Sequence, residues 1–556
     1  MRKLLLSSVF GPFGVDDAYG RKENRMELMH NQVTREQGIF SLRFHHPSFG
    51  LHFLAENVEI PTTVLDFPTE DEFRQEVAQG YDFVGLSFIL PNFDKARRMA
   101  QIVREVSPAS QIVLGGHGTS IPGIADRIDC DHVCRGEGVG FLRRLLGEDP
   151  TRPIRHPVVV SSCNRQVLGV PVPDGAAVLV PGVGCANRCR FCATSHFFDG
   201  YTAYLPTGRA IFDVCCEAEA RLGVTDFGVL DENFLKQPER ARELVTCLEQ
   251  AHKPFTFGIF SSAETLVGLG DLDLLVRLGV TFLWIGVESQ KEIYAKNQQV
   301  DFRALVAALR RRGIAVMASA ILFLEHHDRT SLWEDVDFAI GLRPDFLQFM
   351  QLGPLPGTAL YADYEGQGKL LPEVPLAEQH GQDRIWFAHP HFSREETRTV
   401  LREAFDRDYR TSGPSLLRNM QTNLWGLRYV TGHPDPRVRA RTEVWRAACV
   451  RVRPLLRAAA LFAENDATRA LAAELRAEYR ALLGPPTARE RLLAAAVCGY
   501  AAREKLRCRL HGDARQPPVI RTAYRQPPAR EADRAPAVIR PLVAHPLVAS
   551  PPTHSL

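Results

Sequence analysis

In the first 150 residues the apolar positions fall in short, nearly unbroken runs, separated by stretches with helical spacing. Leu4–Phe10, Thr62–Phe67, Asp82–Leu90, Gln111–Leu114 and Asp131–Cys134 read as strands. Pro47–Asn57, Glu70–Gln79, Asp94–Val106 and Val139–Leu146 read as the helices between them. Asp82–Leu90 is apolar along its length, as a parallel strand covered on both faces should be. This alternation predicts an α/β, doubly wound, Rossmann-like sheet over residues 1–150, with ligands at the carboxyl ends of its strands. Those ends carry Ser87, Gly115, Gly116, Gly136 and Glu137. Small residues there would let a flat ligand lie against backbone, or they could simply make turns. The connection from Gly11 to His46 reads as one long polar loop, and a loop of that length is usually functional or disordered.

The pattern resumes after residues 151–175, whose Pro- and Val-rich composition reads as a linker. Ala176–Val180, Thr225–Leu230, Phe255–Phe260, Thr281–Val287, Ala315–Leu324 and Phe346–Leu352 are expected strands. Ile211–Leu222, Glu239–Ala251, Leu272–Leu278, Phe302–Gly313 and Ser331–Ile340 alternate with them as helices. The expectation for 176–375 is a partial (β/α)6, TIM-like barrel with its chemistry at the strand ends. Beyond it, Ser393 and Glu396 make a capping box, and 376–510 reads as an α-helical C-terminal domain rich in Ala, Leu and Arg. Leu455–Ala463 and Leu471–Leu483 are amphipathic, which fits a solvated bundle or a face for a membrane or acidic partner. Residues 511–556 are expected to be a disordered tail.

The chain of 556 residues is 45% apolar and 24% charged, ordinary for a globular protein of several domains. A net charge of +2 gives no reason to expect nucleic acid as a partner. No apolar run is long enough for a transmembrane segment. The start, through Leu4, Leu5 and Leu6, is too short for a signal peptide and reads as a first strand. Twelve cysteines over this length are not a disulfide framework and fit a reducing cytoplasm. Peripheral membrane contact stays open.

Three of those cysteines are clustered. Cys185, Cys189 and Cys192 form a Cys-x3-Cys-x2-Cys run with Phe191 inside it, just after the apolar run Ala176–Val180. Three thiolates at this spacing can hold three corners of a cuboidal iron–sulfur cluster, leaving one iron open to a small molecule. The alternatives are a zinc site, with His196 as a fourth ligand, or a Cys-x2-Cys redox pair. Cys215, Cys216 and Cys247 lie on expected helices as packing residues, and Cys163 has no assigned role. Glu325-His326-His327-Asp328 reads as a polar loop, a proton relay, a substrate clamp or a metal site.

The cysteine run resembles the signature of the radical S-adenosylmethionine (SAM) enzymes, whose open iron binds SAM. Asp231-Glu232-Asn233-Phe234, Ile285-Gly286-Val287-Glu288-Ser289 and Pro354-Leu355-Pro356-Gly357-Thr358 resemble that family's motifs after successive strands. The resemblance implies a 4Fe-4S cluster on the three cysteines and SAM contacts from Phe191, Asp231, Glu232, Ser261, Glu288 and Ser289. The first 150 residues resemble the cobalamin-binding domain that precedes many such cores, through Pro47, Gly50, Leu51, Leu54, Ala55, Ser87, Gly115, Gly116, Gly136 and Glu137. The family's Asp-x-His-x-x-Gly motif is absent; His30, His45 or His46 could stand in for its cobalt-ligating His, or be solvated loop histidines. The resemblance covers about residues 1–421. It implies cobalamin-dependent methylation of an unactivated carbon on a small molecule or lipid, with an external electron donor such as flavodoxin or ferredoxin. Ring formation, oxidation or carbon–carbon coupling on the same architecture, with or without cobalamin, and a non-catalytic binding protein are the alternatives.

Overall fold

The computed structural model describes residues 2–24, 27–173, 175–291 and 294–525. The first sheet is built from β1 (Leu4–Ser8), followed after α1 (Leu28–Gln32), β2 (Arg43–His45) and α2 (Phe49–Glu56) by β3 (Thr62–Asp66). Then come α3 (Glu70–Val77), β4 (Phe83–Ser87), α4 (Phe93–Val106), β5 (Gln111–Gly115), α5 (Ile124–Arg127), β6 (His132–Val133) and α6 (Gly138–Leu146). β3, β1, β4, β5 and β6 lie side by side in that order, all parallel. Side chains alternate between the faces of a strand. Leu4 and Leu6 therefore pack with Leu51 and Leu142 of α2 and α6, while Leu5 packs with Phe73 and Met99 of α3 and α4. Coverage on both faces explains the unbroken apolar runs.

β7 (Cys163–Val167) and β8 (Val170–Pro171) lead to the second sheet, which starts at β9 (Ala176–Leu179). The hairpin β10 (Gly182–Gly184) and β11 (Tyr201–Ala203) brackets α7 (Ala193–Phe197). α8 (Gly208–Leu222), β12 (Asp226–Val229), α9 (Pro238–Gln250), β13 (Thr256–Phe260), α10 (Ala263–Leu269), α11 (Asp273–Leu278) and β14 (Val280–Glu288) follow. α12 (Phe302–Arg311), β15 (Ala315–Leu322), α13 (Ser331–Gly341), β16 (Phe346–Gln351) and α14 (Ala359–Gly366) complete it. Its strands run β9-β12-β13-β14-β15-β16, all parallel. Phe227, Ile259, Leu283, Val316 and Leu347 pack under the helices. On the opposite face Met317, Phe346, Phe282 and Trp284 are covered by Met29 and Val33, on and just after α1, and by Phe44 of β2. The segment expected as a polar loop thus carries the apolar residues that close this face.

Two further expectations change. The 151–175 linker is structured: β7 pairs antiparallel with β2 and with β8, and Val160 bridges Ala177 of β9. Cys163 is buried in β7. The expected tail is ordered as far as Arg525. β17 (Ile520–Tyr524) adds an antiparallel strand beside β3, and Gln516 bonds the backbone of Phe13 in both directions at 2.8 Å. Residues 526–556 lie outside the described residues.

The C-terminal helices are α15 (Arg394–Ser412), α16 (Ser415–Thr431), α17 (Pro436–Arg439), α18 (Thr442–Val452), α19 (Leu455–Leu461), α20 (Asp466–Leu483) and α21 (Ala488–His511). They have no core of their own: Leu417, Leu424, Trp445, Leu456 and Leu475 belong to the same apolar cluster as Leu309 and Leu347. The amphipathic faces of α19 and α20 are therefore core faces. Among the described residues no helix is long and apolar enough to cross a membrane.

The tail leaves α21 past Arg515, which pairs with Glu504. Burial acts to raise the Glu504 carboxyl, but Arg507, Arg515 and the Cys508 thiol pull it down to about 2, from an ordinary 4.5. A carboxylate lowered on folding stabilises fully above its unfolded pKa, and that contribution is lost as pH falls through the folded value. Amide exchange in Ile520–Tyr524 should accelerate as pH falls from about 4.5 towards 2, after correction for intrinsic rates. Arg515→Ala should accelerate it at neutral pH already. Unchanged exchange in that variant would show that the pair does not hold the strand.

Candidate active site

The cysteine loop leaves β10 at Gly184, whose φ is +81°. A Cβ there would sit 1.9 Å from the carbonyl oxygen of Gly200, so only glycine lets the two ends of the loop meet. Cys189 and Cys192 are joined by a 3.0 Å backbone hydrogen bond, and all three cysteines keep accessible surface. Arg190 anchors the loop outward. Its carbonyl accepts from the Leu360 amide at 2.9 Å, and its guanidinium meets Asp363 at 2.6 Å and Glu325 at 3.7 Å. Phe191 turns the other way, against Tyr294 at 5.1 Å between ring centroids.

A tetrahedral zinc site needs sulfurs about 3.8 Å apart, given bonds of about 2.3 Å. Among the described residues only His326, His327 and Asp335 bring three donor atoms within 4.8 Å of one another. The cysteine triad does not meet that spacing. Burial raises the thiols of Cys185 and Cys189, and nearby Glu232 and the other thiols add to the rise at Cys185. Lys296 opposes it at Cys189.

The strand ends surround this loop. Asp231, after β12, is buried and already engaged: it accepts from Arg240 and from the Tyr201 hydroxyl, both at 2.7 Å. It was expected to accept from a SAM ammonium, and its oxygens are instead spent on an internal ion pair. Glu232 differs. Its side chain reaches accessible space yet is enveloped by protein, the signature of a group lining a concavity. Burial and then Asp231 raise its carboxyl, while Thr194 of α7 bonds it. Ser261, after β13, is fixed by the Asn233 amide at 3.1 Å. Glu288, at the end of β14, has φ +61° beside a register shift, and its carboxylate meets Lys296 at 2.5 Å. A Cβ on Gly286 would lie 2.2 Å from that carboxylate, so the glycine makes its seat. Burial works against the charge on Lys296, but Glu288 and the Cys189 thiol outweigh it and raise its pKa.

The Glu325–Asp328 segment resolves into separate roles. Asp328 caps its own loop through Thr330 and Ser331, and Glu325 faces Arg190. His327 is wholly buried. The Leu324 amide donates to its Nδ1 at 3.1 Å, which puts the ring proton on Nε2, 2.9 Å from Asp335. Both ring nitrogens are thus spent, and no lone pair remains for a metal. Asp335 also accepts from the Gln290 amide at 3.1 Å and from the Ser289 hydroxyl. The segment braces Ser289 at the end of β14.

At the first sheet's strand ends, Ser87 lies level with Gly115 in the register. A Cβ on Gly115 would meet nothing within 4 Å, whereas Gly116, at φ +81°, sits against the Phe88 carbonyl. Glu137 is not free: it caps α6 through the Val139 and Gly140 amides and accepts from Tyr204 at 2.8 Å. Gly136 and His117 face Phe197 of α7, His117 at 4.5 Å between rings. This edge and the cysteine loop therefore share one helix. Of the substitute histidines, His30 bonds Ser41 and Asp513, His45 is buried beside Phe67, and His46 bonds the Ser161 carbonyl. Sequence reading missed Arg240, Tyr201, Lys296 and Tyr294. Arg240 and Lys296 lie 9 and 8 residues beyond the acids they pair with and Tyr201 lies 30 before Asp231, and no spacing rule links them.

Residues 179–339 match the Radical SAM superfamily, so the centre of the chain is a radical SAM domain. Over 406 residues the chain is 23% identical to an uncharacterized methyltransferase of Pyrococcus horikoshii, spanning 65% of this chain and 87% of that protein. It is also 23% identical over 343 residues to the anaerobic magnesium-protoporphyrin IX monomethyl ester cyclase of Rubrivivax gelatinosus, spanning 53% of this chain and 60% of that protein.

The two adjacent acids should separate in experiment. Arg240→Ala leaves Asp231 buried without its cation and should cost about 3–5 kcal/mol of stability. Glu232→Gln should change stability by about 0.5 kcal/mol or less. Denaturant titration of both variants checks this, and equal losses would overturn the division of roles.

Proposed function

We propose that the chain reductively cleaves SAM at a 4Fe-4S cluster held by Cys185, Cys189 and Cys192. The observation that carries this reading is the thiol triad held in one loop, with Glu232 beside Cys185 and Glu288 beside Cys189, at the ends of a parallel sheet read as a partial barrel. When bound, the cluster supplies the electron that splits SAM into methionine and a 5′-deoxyadenosyl radical, fed by an external donor such as flavodoxin or ferredoxin. The chain's own part is to bind and orient. Glu232, the carboxylate beside Cys185 that is bonded by Thr194, accepts from the SAM ammonium as a charge-assisted partner. Glu288, fixed by Lys296, takes the ribose hydroxyls, with Ser289 and Ser261 beside it. Phe191 and Tyr294 wall the site from water.

Carbon methylation with cobalamin is the leading outcome, supported by the methyltransferase relative and by the open Gly115 edge next to Ser87, Gly116 and Gly136. A bound cobalamin would supply the methyl group. Glu137 would act by holding α6 to Tyr204 rather than by touching the corrin. Ring formation is the second reading, favoured by the relative named a cyclase.

Anaerobically reconstituted protein should hold about four irons and form 5′-deoxyadenosine from SAM under a low-potential reductant. Replacing the three cysteines by Ala should abolish both, and iron retained by that variant would sink the assignment. Glu232→Gln should keep its iron and weaken SAM binding about tenfold. A corrinoid absorption spectrum in protein made with ample cobalamin would keep methylation in front; its absence would reduce the first sheet to a scaffold.

A further inference from the structure

Beside the cover formed by Met29, Val33 and Phe44, the inner face of the second sheet keeps accessible surface along β12–β14, a neutral slot with one wall stripped of side chains. Gly228 of β12 lies level with Gly258 of β13, and Gly258 with Phe282 of β14. The next layer pairs Phe260 with Trp284, whose rings stack at 4.9 Å and 27°. These positions keep accessible surface, whereas Ile259, Leu283 and Ile285 on the helical face have none.

Backbone dihedrals do not require the two glycines, although Gly258 sits at a register shift between β13 and β14. Neither has a positive φ. A Cβ at Gly228 would come no closer than 4.0 Å to Ser161, and one at Gly258 no closer than 3.6 Å to Phe282. Glycine weakens a strand and marks a bulge, as at Gly258, or the close approach of a ligand or another backbone, which is the reading taken for Gly228.

The slot's polarity is equally restricted. Trp284 Nε1 donates to Ser319 Oγ at 2.5 Å, Ser319 donates to Gln348 at 2.7 Å, and the Gln348 amide donates to Gln32 of α1 at 3.1 Å. Every member is neutral. At one end Asp226 is bonded by Thr256, and at the other Glu288 is neutralised by Lys296. Between these ends, among the described residues, the inward positions of β12–β16 carry no charge. A charged group placed there would be desolvated without a partner.

We propose that this slot binds a flat, uncharged aromatic or conjugated ring, laid over Gly228 and Gly258 and against the Phe260–Trp284 stack. At most a neutral hydrogen-bonding group faces Ser319 and Gln348. Calling this ring the substrate rests on the radical SAM reading; the slot's selectivity does not. An alkyl chain would gain from burial alone, whereas a ring also gains the offset stacking that the pair offers.

The test is equilibrium binding to the full-length protein without SAM, reductant or added iron. The probes are indole (flat and neutral), 1-octanol (aliphatic with the same number of carbons) and indole-3-acetate (flat and charged). Indole should bind about tenfold more tightly than either of the others. Gly258→Val and Gly228→Val, tolerable in a strand, should each weaken indole about tenfold while keeping the wild-type circular dichroism. Trp284→Ala should do the same and Trp284→Phe should restore most of the affinity. No indole binding, octanol or indole-3-acetate bound as tightly as indole, or Gly→Val variants that bind indole normally would each overturn the proposal. Because the assay uses no cluster chemistry, its failure and a failure to form 5′-deoxyadenosine are separate results.

Discussion

The second sheet has helices on one face only, and the other face has to be covered by something that is not part of the strand–helix repeat. Parallel strands exposed to water on one side would leave Phe282, Met317 and Phe346 in solvent. Met29, Val33 and Phe44 cover them, and their segment must itself be held. β2 is held by pairing with β7. Asp513, from the far end of the chain, meets His30 at 3.2 Å and Arg43 at 3.9 Å. Three stretches that look unrelated in sequence, an N-terminal loop, a linker and a tail, are thus one assembly that closes the inner face. The tail then continues as β17 and caps the β3 edge of the first sheet, where unpaired backbone groups would otherwise invite another chain.

This explains what the sequence could and could not disclose. The strand–helix repeats were legible because each apolar run and its helix carry their own periodicity. The cysteine spacing was legible because one short loop holds all three thiols. β2, β7 and β17 were not: each has five residues or fewer, is partly polar, and pairs with a strand over a hundred residues away, β7 with its neighbour β8 as well. Local periodicity has nothing to say about such pairings. The amphipathic faces of α19 and α20 were legible as faces, but only the packing of Leu456 and Leu475 tells a core face from a membrane face.

The acidic motif shows a finer limit. Asp231 and Glu232 are neighbours with the same charge, and sequence gives no reason to separate them. The fold does, through Arg240 and Tyr201, which enclose one carboxylate and leave the other facing Thr194 and Cys185. A buried ion pair contributes little net stability compared with an apolar substitute, but removing one partner is costly. Its value here is positional. It pins the turn after β12, so that Glu232 projects from a fixed backbone.

The same economy recurs at α7. One face of this five-residue helix receives His117 and Gly136 from the first sheet's strand ends, and its N-terminal side follows directly from Cys192. Pro354-Leu355-Pro356-Gly357-Thr358 docks on the same turn of the first domain, where Gly357 approaches Ser120. The first sheet's strand ends and the cysteine loop are therefore joined by direct protein contacts at α7 and at Gly357. Under the proposed function two chemistries would meet on one carbon atom, and their separation would have to be fixed to within about 0.5 Å. A shared short helix between them meets that requirement, which a flexible linker between residues 151 and 175 could not, and the pairing of β7 with β2 removes that flexibility.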